Sequence, residues 1–173
     1  ELHDAKEYGS ILTVTPQDWS VLYDRFAEIT EDINMSREIA LRELLPLVQV
    51  AEALAQKYDV IVTNPPYLGS SRFDAALDKY VKIYFQDVKA DLSMVMFKKM
   101  LSYQLKKNGF IAFITTSSWM FLSSFEKIRT TMFENASIDS LVDFGTELFE
   151  GKVGHNPIVA WVNRKNNLDK KLT

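Results

Sequence analysis

Asn64, Pro65, Pro66 and Tyr67 are four consecutive residues whose types can do chemistry together. Asn64 carries a side-chain carbonyl that accepts hydrogen bonds, and the backbone carbonyl of Pro65 lies beside it. Two such acceptors can take the hydrogens of a nitrogen. The prolines hold them on a stiff backbone, because proline fixes φ and restricts the residue before it. Tyr67 adds a flat aromatic face. A purely structural reading competes with this one. Asn-Pro is a common turn signal, so the four residues also read as a strand ending in a proline-rich turn.

The elements that position these residues come next. Tyr58-Asp59-Val60-Ile61-Val62 precedes them as a short β-branched run. Because the run is continuous rather than alternating, it reads as a buried parallel strand. The prolines stop the ladder, since neither can donate a backbone N–H. In open α/β sheets ligands bind past the carboxyl ends of the strands. Asn64 and Tyr67 therefore fall where a substrate would sit. Phe110-Ile111-Ala112-Phe113-Ile114 is a second apolar run. Its polar end, Thr115 to Trp119, is expected on the same sheet edge as Asn64. Ile138–Phe144 and Pro157–Val162 are two more strand candidates, joined without a helix and so expected to be antiparallel neighbours.

Helical patterns fill the rest. Ser10–Val14 reads as a small strand before a helix start at Thr15-Pro16-Gln17-Asp18, with Thr15 as cap and Pro16 in the first position. Trp19, Leu22, Tyr23 and Phe26 follow as a stripe expected to pack in a core. Residues 28–35 read as a polar connection. A second helix runs from Ser36 to about Lys57, with Pro46 expected to kink it. Phe73–Phe85 reads as an irregular helical segment. Arg72, Lys79 and Lys82 lie on or beside it, either as phosphate contacts or as a solvated face. Asp91 can cap a helix that the pattern ends at Lys106-Lys107-Asn108-Gly109. Leu122–Phe133 is one more amphipathic helix.

Composition narrows the function classes. The 173 residues are 47% hydrophobic and 25% charged, enough for one core. No apolar run approaches about 18 residues, so no membrane association is expected. There is no cysteine, hence no disulfide framework or thiolate metal site. His3 and His155 are too far apart in sequence to suggest a metal cluster, and a cytoplasmic setting is compatible. The net charge of −3 argues against a chain that grips nucleic acid unaided.

Asn64-Pro65-Pro66-Tyr67 after a hydrophobic strand resembles the catalytic motif of S-adenosylmethionine-dependent amino methyltransferases. More of the chain extends the resemblance. Asn64 to Ser70, Lys79-Tyr80-Val81, Lys89-Ala90-Asp91-Leu92, Gly109-Phe110 and Ser117-Ser118-Trp119-Met120-Phe121-Leu122-Ser123-Ser124 together resemble one family. It is the PglX family of large adenine-specific DNA methyltransferases of BREX and Pgl phage-defence systems, close to type IIG restriction–modification enzymes. The resemblance implies an α/β fold, the C-terminal half of a Rossmann-like methyltransferase domain. Its sheet would be mostly parallel, with a terminal antiparallel strand.

That resemblance assigns catalysis to Asn64, Pro65, Pro66 and Tyr67. Asp4 and Asp91 become cofactor-side candidates, and Ser117, Ser118 and His155 substrate-side candidates. Trp119 is left between a pocket role and a core role. The implied cofactor is S-adenosylmethionine, and the implied substrate is double-stranded DNA with a flipped adenine. With 6 glycines in all and no glycine-rich strand-to-helix turn, the main cofactor loop is expected upstream of Glu1. Residues 1–163 are then a partial catalytic domain with a helical insertion at about 16–57. Residues 164–173 are a polar linker toward a target-recognition domain. An unpaired sheet edge would favour self-association, and defence-system subunits are possible partners. Protein glutamine-N5 methylation, RNA methylation and a catalytically silent interaction module remain open alternatives.

Overall fold

The computed structural model describes residues 5–31, 34–149 and 157–166. Asp4 and His155 lie outside these residues. The chain divides into two compact units, Glu1–Gln56 and Lys57–Thr173.

The first unit is helical. Helix α1 (Ala5–Tyr8) runs into a 3₁₀ turn at Gly9–Ile11, where Gly9 adopts φ +52°. The strand expected at Ser10–Val14 is absent, because the turn consumes its first residues and no strand among the described residues of this unit offers a ladder. Ile11, Leu12 and Val14 are buried nonetheless. Helix α2 (Trp19–Glu31) starts after Asp18, not at Pro16. The Asp18 carboxylate accepts from the Ser20 hydroxyl at 2.6 Å and from the Val21 N–H at 3.4 Å. Aspartate ranks above threonine as a cap, so Asp18 displaces Thr15. Helix α2 also continues into the stretch expected as a connection.

Helix α3 (Met35–Ala55) is capped by Asn34, whose side chain accepts from the Arg37 N–H at 3.0 Å. Pro46 lies inside it. The Tyr23 hydroxyl donates to Glu52 at 2.6 Å and ties the two long helices together. The stripe on α2 is half-buried rather than a closed core. Trp19, Leu22 and Phe26 face Leu44, Leu47 and Val48 across an open groove of about 520 Å³.

The second unit holds the sheet. Its strands are β1 (Tyr58–Thr63), β2 (Leu105–Thr116), β3 (Ala136–Gly145) and β4 (Ile158–Lys165), in the order β1-β2-β4-β3. β1 and β2 are parallel, whereas β4 is antiparallel to both β2 and β3. Three strands therefore share one direction and β4 is reversed. Because β4 lies inside the sheet, two of the three ladders are antiparallel, more than "mostly parallel" implies. β4 also carries Asn163, Arg164 and Lys165, so the expected linker boundary falls inside a strand.

Helices α4 (Ala75–Tyr84), α5 (Leu92–Lys99), α6 (Ser118–Phe121) and α7 (Glu126–Asn135) complete the unit. A 3₁₀ turn at Ser123–Phe125 takes the place of the first residues of the helix expected over 122–133, which begins only at Glu126. Ile111, Phe113, Val159, Trp161 and the α5 residue Phe97 are each at most 2% exposed and form the core on one face.

The opposite face departs from expectation. Val60 is 58% exposed, Val62 75% and Val142 50%. Val62 and Val142 border a shallow concavity of about 330 Å³ with Ala112, Ile114 and Ala160. β1 is thus an edge strand with one bare face rather than a buried one. A continuous apolar run puts apolar side chains on both faces, and among the described residues only one face is well covered.

The stop after α5 also differs. Helix α5 passes into a π-helical turn at Met100–Gln104, and β2 starts at Leu105. The Lys165 ammonium caps the turn, donating to the carbonyls of Leu101 at 2.7 Å and Leu105 at 3.0 Å. Lys106 instead pairs with Asp59 at 2.8 Å. Lys106 to Gly109 form a bulge, where the register jumps from Tyr58–Leu105 to Val60–Phe110. Asn108 takes φ +61° there, which asparagine tolerates. A Cβ on Gly109 would lie 2.8 Å from the Asp59 carbonyl oxygen, so glycine is needed at that approach.

Lys99 is 1% exposed, with its ammonium 5.2 Å from the centre of the Tyr103 ring. Burial pushes its pKa from 10.5 down to about 8. Between those values the folded chain holds fewer protons than the unfolded one, so stability rises with pH across the window. Lys99→Met is expected to stabilise the chain by about 1–3 kcal/mol near neutral pH and to remove Lys99's share of that rise, leaving the smaller share of Lys165, whose pKa burial also lowers. Urea unfolding at a neutral and an alkaline pH, for both proteins, measures it.

Candidate active site

β1 ends at Thr63, paired with Phe113 of β2, and Asn64 follows at the carboxyl edge. Because β1 and β2 are parallel, the end of β2 at Thr116 emerges on that same edge, as expected. The Ser117 N–H donates to the Pro157 carbonyl at 2.7 Å, which brings the entry to β4 alongside.

The motif turn is tight. Pro65 is buried and Pro66 exposed. The Leu68 N–H donates to the Pro66 carbonyl at 3.1 Å. The Tyr67 hydroxyl donates to Asn64 Oδ1 at 2.6 Å. Burial pushes the Tyr67 phenol up from its ordinary value. Arg72 donates through Nη2 to the Tyr67 carbonyl at 3.3 Å.

Two backbone hydrogen bonds stitch this turn to the loop before α5. Leu92 N–H donates to Leu68 O, and Ser70 N–H to Ala90 O, both at 2.9 Å. Between them Gly69 and Asp91 form an antiparallel bridge. Asp91 caps α5, as the sequence suggested. Its Oδ1 accepts from the Ser93 N–H at 2.8 Å and the Ser93 hydroxyl at 2.5 Å. The Thr115 hydroxyl donates to Ser93 Oγ at 2.9 Å. A chain of three side chains thus links the end of β2 to the loop beside the motif. Burial raises the Asp91 pKa, while the Ser93 bonds and the Arg72 charge pull against it.

The structure thus brings Asn64–Tyr67 and Asp91 into one stitched pair of loops. Ser117 and Ser118 lie at the same sheet edge. Ser117 is buried, and the Ser118 hydroxyl is bonded to Thr116 at 2.8 Å. Trp119 is 3% exposed and stacks on Trp161 with ring centres 4.6 Å apart, so it belongs to the core. Asp4 and His155 lie outside the described residues. Ser93 and Thr115 were not singled out from the sequence. The Asp-x-Ser spacing of a capped helix start was the available signal for Ser93. Nothing local marked Thr115, which reaches Ser93 only through the packing of β2 on α5. Among the described residues, no group of three or more His, Cys, Asp or Glu could hold a metal ion. No helix among them is long and apolar enough to cross a membrane.

Comparison with known proteins adds to this geometry. The model of the Eco57I restriction-modification methylase family matches residues 6–149. The chain is 34% identical over 168 residues to the adenine-specific methyltransferase BrxX of Escherichia coli O9:H4 (strain HS), covering 94% of this chain and 14% of that protein. It is 42% identical over 108 residues to the adenine-specific methyltransferase PglX of Lacticaseibacillus casei (strain Zhang), covering 62% of this chain and 9% of that protein. It spans only a small part of either relative. A putative class I S-adenosylmethionine-dependent methyltransferase from Listeria monocytogenes superposes with a TM-score of 0.50 at 12% identity, over 91% of this chain and 62% of that one. That likeness establishes a shared α/β fold.

The Asp91 cap generates a pH prediction. A carboxyl whose pKa is raised on folding leaves the folded chain holding more protons than the unfolded one. Stability therefore falls as pH rises from 3.8 through the raised value. Asp91→Asn keeps a cap of equal rank and removes the ionisation. It is expected to flatten that fall and to match or exceed the wild type at pH 7. Asp91→Ala is expected to lie about 1 kcal/mol below Asp91→Asn. Denaturant midpoints at acid and neutral pH decide both.

Proposed function

Since the chain belongs to the Eco57I restriction-modification methylase family, we propose that it is the catalytic half of an adenine-N6 DNA methyltransferase of a phage-defence or restriction–modification system. The observation that carries the proposal is the Asn64–Tyr67 turn at the carboxyl end of β1, bonded to the Asp91 loop and level with the end of β2.

An exocyclic amino nitrogen is a poor nucleophile while its lone pair is conjugated into the ring. Asn64 Oδ1 and the Pro65 carbonyl accept its two hydrogens and pull the nitrogen toward a tetrahedral shape. The lone pair then points at the methyl group. One fixed contact of this kind is worth roughly 3–4 kcal/mol of barrier. The Tyr67 ring stacks on the base for about 1–3 kcal/mol, and the base is flipped out of the duplex to reach it. S-adenosylmethionine supplies the electrophilic methyl on a sulfonium. Bound beside residues 90–92, it would serve as methyl donor, its sulfur leaving as a neutral thioether, and the amino nitrogen would release a proton to solvent.

The stitched loops support a cofactor site beside residues 90–92, with Asp91 on its margin. Asp91 spends one oxygen on Ser93, so its role toward the cofactor is orientation of this loop. We assign the principal glycine-rich cofactor loop to a segment upstream of Glu1, and Asp4 to the neighbourhood of the cofactor's adenine. Ser117, Ser118 and His155 are assigned to the substrate side. Residues 1–165, through the end of β4, act as a partial catalytic domain with residues of about 16–57 inserted, and the tail beyond leads to a domain that reads the DNA sequence. The net charge of −3 fits DNA being gripped mainly by such a domain. The site of action would be the cytoplasm, in company with defence-system subunits.

The test follows labelled methyl from S-adenosylmethionine in the full-length protein, with a protein acceptor as control. Label is expected as N6-methyladenine, with Asn64→Ala lowering the rate at least about a hundredfold. Label on protein, or none on DNA, would overturn the proposal. The bare sheet face gives a second expectation for the isolated chain. With Val62 75% exposed and β1 and β3 as open edges, it should self-associate with rising concentration. Sedimentation of a clean monomer at high concentration would count against this.

A further inference from the structure

The prolines of the motif fix its backbone, but they leave the Asn64 side chain free to rotate. Asn64 is exposed. Among the described residues, the Tyr67 hydroxyl is the one group bonded to its side chain, donating to Oδ1 at 2.6 Å. Left alone, a carboxamide presents either its carbonyl or its NH₂ to a neighbour. Only the carbonyl can accept a hydrogen from a target amino group. The NH₂ would set donor against donor.

Tyr67 is suited to be the fixed partner. Its carbonyl accepts from Arg72 at 3.3 Å. The adjacent Leu68 is held on both sides, by Pro66 O at 3.1 Å and by the Leu92 N–H at 2.9 Å. The tyrosine is therefore anchored to the loop before α5, whereas the asparagine side chain is held by the tyrosine. A carbonyl oxygen has two lone pairs. The Tyr67 hydroxyl occupies one and leaves the other for an incoming donor. The hydroxyl lies in the plane of its ring, so this bond leaves both ring faces available for stacking. Burial pushes the phenol pKa up, which keeps the group protonated and a donor.

We propose that the Tyr67 hydroxyl is a positioning group that holds the Asn64 carbonyl ready to accept a hydrogen of the target amino group, a role separate from stacking by the Tyr67 ring. This rests on the amino-methyltransferase reading of the same site. It assigns two tasks to one residue. The ring contributes to binding of the base, and the hydroxyl contributes to the rate of transfer.

Steady-state methyl transfer by the full-length protein separates the two. Tyr67→Phe keeps the ring and is expected to lower kcat about tenfold while leaving KM for DNA within about twofold. Tyr67→Ala is expected to raise KM as well. In an Asn64→Ala background, adding Tyr67→Phe should change the residual single-turnover rate less than about twofold, because the group it positions is gone. An active wild type whose Tyr67→Phe variant keeps its kcat, or loses only DNA affinity, would overturn the inference alone. So would full additivity of the two substitutions. A wild type that transfers no methyl to DNA would overturn the functional reading and this inference with it.

Discussion

Trp161 is the residue on which the site depends. It lies on β4, the reversed strand inside the sheet, and is 1% exposed. Its ring lies 5.6 Å from Phe97 of α5, 5.3 Å from Phe113 of β2 and 4.6 Å from Trp119 of α6. Those three elements carry the Asp91 cap, the Thr115–Ser118 edge and the turn beyond it. Each aromatic pair contributes about 0.5–1.5 kcal/mol beyond its buried area. Against this, the indole nitrogens of Trp119 and Trp161 have no hydrogen-bond partner among the described residues. An orphaned donor costs about 1–3 kcal/mol, while losing a buried aromatic costs about 3–5 kcal/mol. For each tryptophan the packing therefore outweighs the unmet bond. The cluster can set the relative position of α5 and β2 without polar help.

Hydrogen bonds then convert that packing into a shaped edge. Thr115 reaches Ser93, Ser93 reaches Asp91, and the Asp91 loop is bonded to the motif turn through Leu68 and Ser70. A shift of α5 on the sheet would thus be felt at Asn64. The burial of Asp91 has an electrostatic cost, and Arg72 offsets part of it while also holding the Tyr67 carbonyl. One guanidinium serves the loop and the cap together.

The two faces of the sheet behave differently. Alternation along β2 and β4 puts Ile111, Phe113, Val159 and Trp161 into the core. The intervening Ala112, Ile114, Ala160 and Val162 line the open concavity with Val62. Those residues are as apolar as the buried set, which is why the runs look continuous in sequence. Polar residues on that face would have suited a two-layer domain open to water. Thr63 and Ser140 are the polar residues that line the concavity, and its otherwise apolar lining fits a sheet covered on both sides, as in doubly wound folds.

Sequence alone was enough to find the four strands of the sheet, the turn after β1 and the Asp91 cap, though it also offered a strand at Ser10–Val14 that does not form. Each depends on neighbours a few residues away: a β-branched run, two prolines that end a ladder, an aspartate two residues before a serine. It also pointed to the antiparallel pairing of β3 and β4 and to the family. Helix limits were less legible. Thr15 and Asp18 are both credible caps, and the choice depends on which carboxylate or hydroxyl meets the free N–H groups. Lys106 to Gly109 carry every local mark of a helix stop, yet Lys165, some sixty residues on, caps the turn before them. Tertiary structure alone decided three further things. It placed β4 between β2 and β3, left β1 an edge with a bare face, and turned the Tyr67 hydroxyl onto Asn64. These depend on contacts between residues far apart in the chain, or on a side-chain torsion, and neither leaves a trace in local residue spacing.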